Sequence, residues 1–129
     1  MKLLLDTHVF LWLISGDARL SSQLRSSIRD PENDVYLSVV SVWEAIVKQQ
    51  LGKLPLPEPA ESYLPKQRKR HLIAPLPLDE ESVAQLAGLP NHHRDPFDRM
   101  LICQAMRWGL TIATEDAAIR AYPIPIHEE

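Results

Sequence analysis

Asn91–Ala105, NHHRDPFDRMLICQA, joins a polar loop to an apolar helix, and the rest of the chain is read outward from it. Asp95 suits an N-cap and Pro96 the first helical position. Asp98 falls three residues after the cap, where a carboxylate meets free N–H groups and the positive end of the helix dipole. Phe97, Leu101, Ala105 and Trp108, with Ile102 alongside, recur at helical spacing, so one face is expected to bury while Asp98 stays near the mouth of the helix. A well-capped helix alone explains Asp95 fully and Asp98 in part. The positions of the other isolated acids decide whether there is more.

Downstream, Gly109 stops the helix, and Leu110–Thr114 reads as a buried strand running into Glu115 and Asp116. Asp116 suits the cap of a short helix over Ala117–Tyr122, and Ile124 and Ile126, split by Pro125, suggest a last edge strand. At the other end, Lys2–Leu5 is a short apolar run ending in Asp6, which places that acid at a strand's carboxyl end. Thr7 can cap the next helix, and Val9–Ile14 is apolar almost all round before Ser15-Gly16. Covering such a helix on several sides makes self-association one expectation.

Between these ends, Ser21–Arg29 is weakly helical and Val35–Val39 strand-like. From Ser41 the pattern turns helical, with Val42, Trp43, Ile46, Val47 and Leu51 on one face until Gly52. Ser41 and Glu44 have capping-box spacing, and Glu44 with Lys48 is a favourable i, i+4 pair. Leu54–Pro59 reads as an extended connector. Ala60–His71 reads as a polar helix broken near Pro65, with little core to offer. Leu72–Leu78 allows at most a short strand, and Asp79 opens a helix carrying Val83, Leu86 and Ala87.

With 129 residues and 45% hydrophobic content, the chain suits a single domain over residues 1–129. A net charge of −3 gives no global attraction to nucleic acid. Lys66, Arg68, Lys69 and Arg70 are the one dense basic cluster, either a solvated face or a local RNA contact. The single cysteine, Cys103, lies in an apolar run and has no internal disulfide partner. No apolar run approaches the ~20 residues of a membrane span. The expected setting is soluble and cytoplasmic.

Short apolar strands alternating with helices, without hairpin signals, argue for an α/β fold with a parallel sheet covered on both faces. Its functional crevice then lies beyond the strands' carboxyl ends. Asp6 and Asp116 follow strands, while Glu44 and Asp98 lie in the first turns of helices, so all four can converge there. Clustered carboxylates repel one another and raise their own pKa values unless a cation neutralises them. An all-oxygen set suits Mg²⁺ or Mn²⁺, and such a cation suits phosphoester hydrolysis. Zinc fits less well, because neither a two-histidine helical spacing nor a cysteine pair is present. His93 and Arg94 are assigned at most a phosphate contact.

LLLDTHVFLW, SVVSVWEAIVK, HRDPFDRMLICQA and TIATED, in that order, resemble the PIN-domain ribonucleases, and among them the VapC-like toxins of toxin–antitoxin pairs. The resemblance implies a three-layer α/β/α sandwich with a central parallel sheet. It further implies a Mg²⁺- or Mn²⁺-dependent endoribonuclease, usually a homodimer, held inactive by a cognate antitoxin. It makes Asp6, Glu44, Asp98 and Asp116 the acidic set, with Asp95 an accessory ligand or, preferably, only the helix cap. Thr7 and Thr114 flank ligand positions and can orient them. Arg94 and Arg99 are candidate RNA contacts near the site, with the basic cluster further out. An aspartyl phosphatase would need a second Asp where His8 stands, and a phosphoacceptor domain a lysine after Leu110–Thr114. The remaining alternative is a non-catalytic PIN-fold module that binds an antitoxin or RNA without cleaving it.

Overall fold

The computed structural model describes residues 1–127. Apolar and β-branched runs form β1 (Lys2–Leu5), β2 (Asp34–Ser38), β3 (Ala74–Leu76) and β4 (Thr111–Ala113). Between β1 and β2 lie α1 (Thr7–Ser15) and α2 (Ser22–Arg29), and between β2 and β3 lie α3 (Val39–Gln50) and α4 (Ala60–Arg70). α5 (Glu80–Ala84), a 3-10 turn (Gln85–Gly88) and α6 (Pro96–Trp108) lead to β4, and α7 (Ala117–Arg120) follows it.

All strand pairs are parallel and the order is β3-β2-β1-β4. The chain steps outward from β1 to β3 and then crosses to the other side of β1 for β4. The order therefore reverses between β1 and β4, the point where a crevice opens beyond strand ends in such sheets. Successive side chains of a strand face opposite ways, so Leu3 and Leu5 enter one core with Phe10, Leu24, Leu37 and Leu64. Leu4 enters the other with Leu101, Ile102, Ile112 and Ile119. Two cores flanking one parallel sheet make the expected α/β/α sandwich. Each fully buried Leu, Ile or Phe contributes roughly 1.5–3 kcal/mol of transfer free energy.

Several local expectations are overturned. α3 starts at Val39, not Ser41, because Ser38 caps it by accepting the Val40 N–H at 3.0 Å. Ser41 and Glu44 therefore form no capping box, and Glu44 lies in the helix's second turn. The buried face of α3 is Val40, Ser41, Glu44 and Ala45, whereas Trp43 is 54% exposed and Leu51 62% exposed. Trp108 likewise reaches solvent at the end of α6. α4 runs unbroken through Pro65, and Ala60 and Leu64 are fully buried. Its N-terminus is tied to α3, where Gln49 accepts the Ala60 N–H at 2.7 Å and donates to the Glu58 carbonyl at 3.0 Å. These contacts offset the one backbone bond that proline removes. Asp6, not Thr7, caps α1. The last edge strand reduces to one parallel bridge, Ile126 to Ile112, and Pro125 has no N–H with which to extend it.

Candidate active site

The acids are set in place by the elements they terminate or open. The Asp6 N–H donates to the Ala113 carbonyl at 3.0 Å, which ties the ends of β1 and β4 together. One Asp6 carboxylate oxygen accepts the Val9 N–H at 2.8 Å as the α1 cap, and the other accepts the Thr114 hydroxyl. Burial pushes the Asp6 pKa up despite both bonds. Thr114 also accepts the Asp116 N–H at 3.0 Å, so one hydroxyl links two acids. Asp116 caps α7 by accepting the Ala118 N–H at 2.8 Å. Burial acts to raise its pKa, but the Ala118 and His93 bonds hold it below the ordinary carboxylate value.

Glu44 is almost completely buried. It accepts the Thr7 hydroxyl at 2.7 Å and pairs with the Lys48 ammonium one turn along α3. Ser41 lies 2.9 Å from the same Thr7 oxygen. A hydroxyl donates once, so with Thr7 committed to the carboxylate, Ser41 donates to Thr7. Burial acts to lower the Lys48 pKa, yet the Glu44 carboxylate beside it leaves it raised.

Asp95 caps α6 by accepting the Phe97 and Asp98 N–H groups at 2.8 and 3.1 Å. The Asp98 carboxyl is pushed up to about 7, first by burial and then by the neighbouring Asp95, Glu44 and Asp6 charges, with His93 acting the other way. Asp6, Glu44, Asp95, Asp98 and Asp116 line one cavity of about 340 Å³, with His93 and Lys48 in its wall. Beside it opens a groove of about 600 Å³ walled in part by Leu11, Trp12, Ile14, Leu54, Leu56 and Tyr63.

The sequence pattern assigns His93 at most a phosphate contact and Lys48 only a helix pair with Glu44; the structure puts both in the wall of this cavity. The His93 Nε2 lies 3.0 Å from Asp98 and 3.2 Å from Asp116. Arg99 and Tyr122 hold the loop that brings it there: the Tyr122 hydroxyl accepts the His92 and His93 N–H groups at 3.1 and 3.0 Å, and Arg99 donates to the Pro90 and His93 carbonyls at 3.2 and 3.3 Å. Arg94 is exposed. In the basic cluster, Lys66 pairs with Glu58 at 2.9 Å and Arg68 donates to the Ile73 carbonyl at 3.0 Å, while Lys69 and Arg70 are exposed. Among the described residues, the acid cavity's wall draws on none of these four.

The chemistry of this donor set fits a divalent cation. His93, Asp98 and Asp116 bring potential ligand atoms within 4.8 Å of one another. The raised Asp98 pKa marks a carboxylate withdrawn from water and, secondarily, crowded by the Asp95, Glu44 and Asp6 charges, a state that a cation would relieve. A parallel sheet with acids gathered at its switch point is the architecture of a PIN domain, and the PIN domain family model matches residues 3–125, so the chain belongs to that family.

Among its relatives, the chain is 38% identical over 72 residues to Ribonuclease VapC16 of Mycobacterium tuberculosis (strain ATCC 25618 / H37Rv), a match covering 54% of this chain and 51% of that protein. The match thus spans about half the length of that curated relative. The fold is similar to that in the crystal structure of VapBC2 from Rickettsia felis bound to a promoter DNA fragment, with a TM-score of 0.69, 13% identity, and 99% and 98% of the two chains covered. FitAcB from Neisseria gonorrhoeae gives a TM-score of 0.66 at 24% identity, with 98% and 96% covered.

Proposed function

We propose that this PIN domain is a metal-dependent endoribonuclease that hydrolyses RNA phosphodiester bonds and serves as the toxin of a toxin–antitoxin pair. One observation carries the chemistry: Asp6, Glu44, Asp98 and Asp116 converge on one cavity in which Asp98 is pushed up to about 7. An uncompensated acid cluster of this kind favours Mg²⁺ or Mn²⁺. Bound there, such a cation supplies water activation and polarisation of the phosphoryl oxygen. Of the four acids, Asp98 and Asp116 are the less buried and so the better placed to hold it. Asp6 and Glu44 supply further charge from behind, oriented by Thr114 and Thr7. Asp95 acts as the helix cap and adds field rather than coordination.

The name of the relative VapC16 supports RNA as substrate, and the VapBC2 title supports an antitoxin as partner. A homodimer is also part of this reading. Val9, Phe10 and Leu13 are absorbed into the core, but Leu11, Trp12 and Ile14 stay only partly covered. Cytoplasmic location belongs to the same reading, as does one domain over residues 1–129; no described helix is long and apolar enough to cross a membrane.

The test is to incubate purified protein, free of antitoxin, with structured and unstructured RNAs, with and without Mg²⁺ or Mn²⁺. Cleavage should require the metal and vanish in Asp98→Asn. Metal-independent cleavage, or equal cleavage by the variant, would overturn the proposed chemistry. RNA binding without cleavage under all conditions would instead identify a non-catalytic module.

A further inference from the structure

The His93 ring touches both Asp98 and Asp116, and three contacts settle how it does so. Its Nε2 hydrogen-bonds the Asp116 carboxylate at 3.2 Å and lies 3.0 Å from the Asp98 carboxylate. Its Nδ1 faces the backbone N–H of Asp95 at 3.1 Å. A nitrogen that accepts an N–H bond carries no hydrogen of its own, so the ring proton sits on Nε2 and points at the carboxylates. Turning the ring over would set carbon atoms against both the N–H donor and the carboxylates, losing the Asp95 and Asp116 hydrogen bonds.

This arrangement opposes the simplest reading of the cluster, in which His93 is a third metal ligand. A neutral imidazole that ligates through Nε2 must carry its hydrogen on Nδ1 and donate it to an acceptor. Here Nδ1 meets a donor, the amide that immediately precedes α6. The Asp95 side chain caps that same helix, so reversing the amide would dismantle the α6 N-terminus. A carboxylate oxygen has two lone pairs, so Asp116 can accept from His93 while presenting the other to a cation.

Resting on the metal-dependent reading above, we propose that His93 is a positioning residue. The Asp95 amide holds it as a donor whose Nε2–H bonds the Asp116 carboxylate, and the same ring nitrogen, 3.0 Å from Asp98, clamps the two acids together toward the cation without ligating it. The clamp joins α6, which carries Asp98, to the segment between β4 and α7, which carries Asp116. Arg99 and Tyr122 keep the loop closed over it.

Two substitutions separate the clamp from a mere loop contact. An Asn carbonyl oxygen reproduces the position of Nδ1 and can keep the Asp95 bond, whereas a Gln amide nitrogen reproduces Nε2 and can keep the clamp. The measurement is Mn²⁺ affinity by calorimetry, with melting temperatures as the check on folding. His93→Gln should stay within about threefold of wild type and His93→Asn should bind about 10–100-fold more weakly. On the wild-type protein, nitrogen NMR of the metal-free and Mg²⁺-loaded forms should find Nε2 protonated and Nδ1 bare. Electron spin-echo spectroscopy of the Mn²⁺-loaded form should find no directly coordinated imidazole nitrogen. Wild-type affinity in His93→Asn, a proton on Nδ1, or a coordinated imidazole nitrogen would each overturn the clamp while leaving the metal reading intact. Failure of the wild type to bind Mn²⁺ at all would overturn the metal reading and the clamp with it.

Discussion

The acid cavity and the basic face of α4 each gather like charges, yet they are in opposite physical states. Asp6, Glu44, Asp95 and Asp116 each accept at least one hydrogen bond that fixes the carboxylate, and burial raises the pKa of Asp6 and of Asp98. On α4, Lys66 pairs with a half-exposed Glu58, Arg68 donates to a backbone carbonyl, and Lys69 and Arg70 project into solvent. Charge left in water costs little to maintain and contributes little. Charge drawn into a cavity is maintained against desolvation, and only fixed geometry and a counter-ion make that state tolerable. The comparison teaches that burial, rather than the number of like charges in a row, separates a site from a face.

The sharpest way to break the comparison is to neutralise the buried acids. Asp6→Asn and Asp98→Asn should reduce cleavage to the no-metal background and weaken Mn²⁺ binding by at least about 100-fold, more than the loss expected for an orienting neighbour. Parallel calorimetry and RNA cleavage on the folded variants check this. Retention of both functions in either variant would place the site elsewhere.

Glu44 gives the next largest effect. Because no capping box exists, Glu44→Gln keeps the helix start and loses the charge facing Lys48. Cleavage should fall about 10–100-fold, by analogy with loss of an outer partner of a metal site, while stability drops by only about 1 kcal/mol. If thermal melts shift strongly while cleavage rates stay at wild type, Glu44 serves the fold alone.

Asp98 sets a pH dependence with a definite sign. Its folded pKa of about 7 lies above the ordinary carboxylate value of 3.8. The native protein therefore binds more protons than the unfolded chain between those values, and metal-free stability falls as pH rises through that window. Cation binding displaces the same proton, so Mn²⁺ affinity should climb by up to about tenfold per pH unit below 7 and level off above it. Asp98→Asn should weaken both trends, leaving the part due to Asp6, and, at pH 8 without metal, stabilise the fold by on the order of 1–3 kcal/mol. Calorimetric titrations and melts across pH 5–9 measure this, and a flat wild-type profile would contradict it.

The smallest effect belongs to α4. Lys69→Gln with Arg70→Gln should leave stability within about 0.5 kcal/mol. If those residues meet RNA, the log–log salt slope of binding should shallow by up to about 1.4, since each single-strand phosphate contact contributes about 0.7. Binding titrations in an Asp98→Asn background read that slope directly. An unchanged slope would remove the cluster from the RNA path and leave it a solvated face.

What the residues alone determined rests on short-range physics. The strand-end position of Asp6, the DPFD cap of α6 and the stops at Gly16 and Gly109 are local matters of hydrogen-bonding side chains and left-handed backbone, and each stands where its immediate neighbours placed it. The parallel order of the layers followed from the alternation of apolar strands and helices. The tertiary structure alone decided the face α3 buries, the continuation of α4 through Pro65 and the entry of His93 into the acid cavity. Those outcomes depend on partners distant in the chain: Gln49 against Ala60, Thr7 against Glu44, Tyr122 against the His93 loop, and His93 against Asp116. Val42, Trp43 and Leu51 are apolar enough for either side of α3, and a helical period specifies a stripe without saying which stripe meets the sheet. Buried hydrogen bonds made that choice: once Glu44 accepts Thr7 and pairs with Lys48, the polar edge of the helix must face the crevice, and Trp43 is left half exposed with its ring edge-to-face on Phe97.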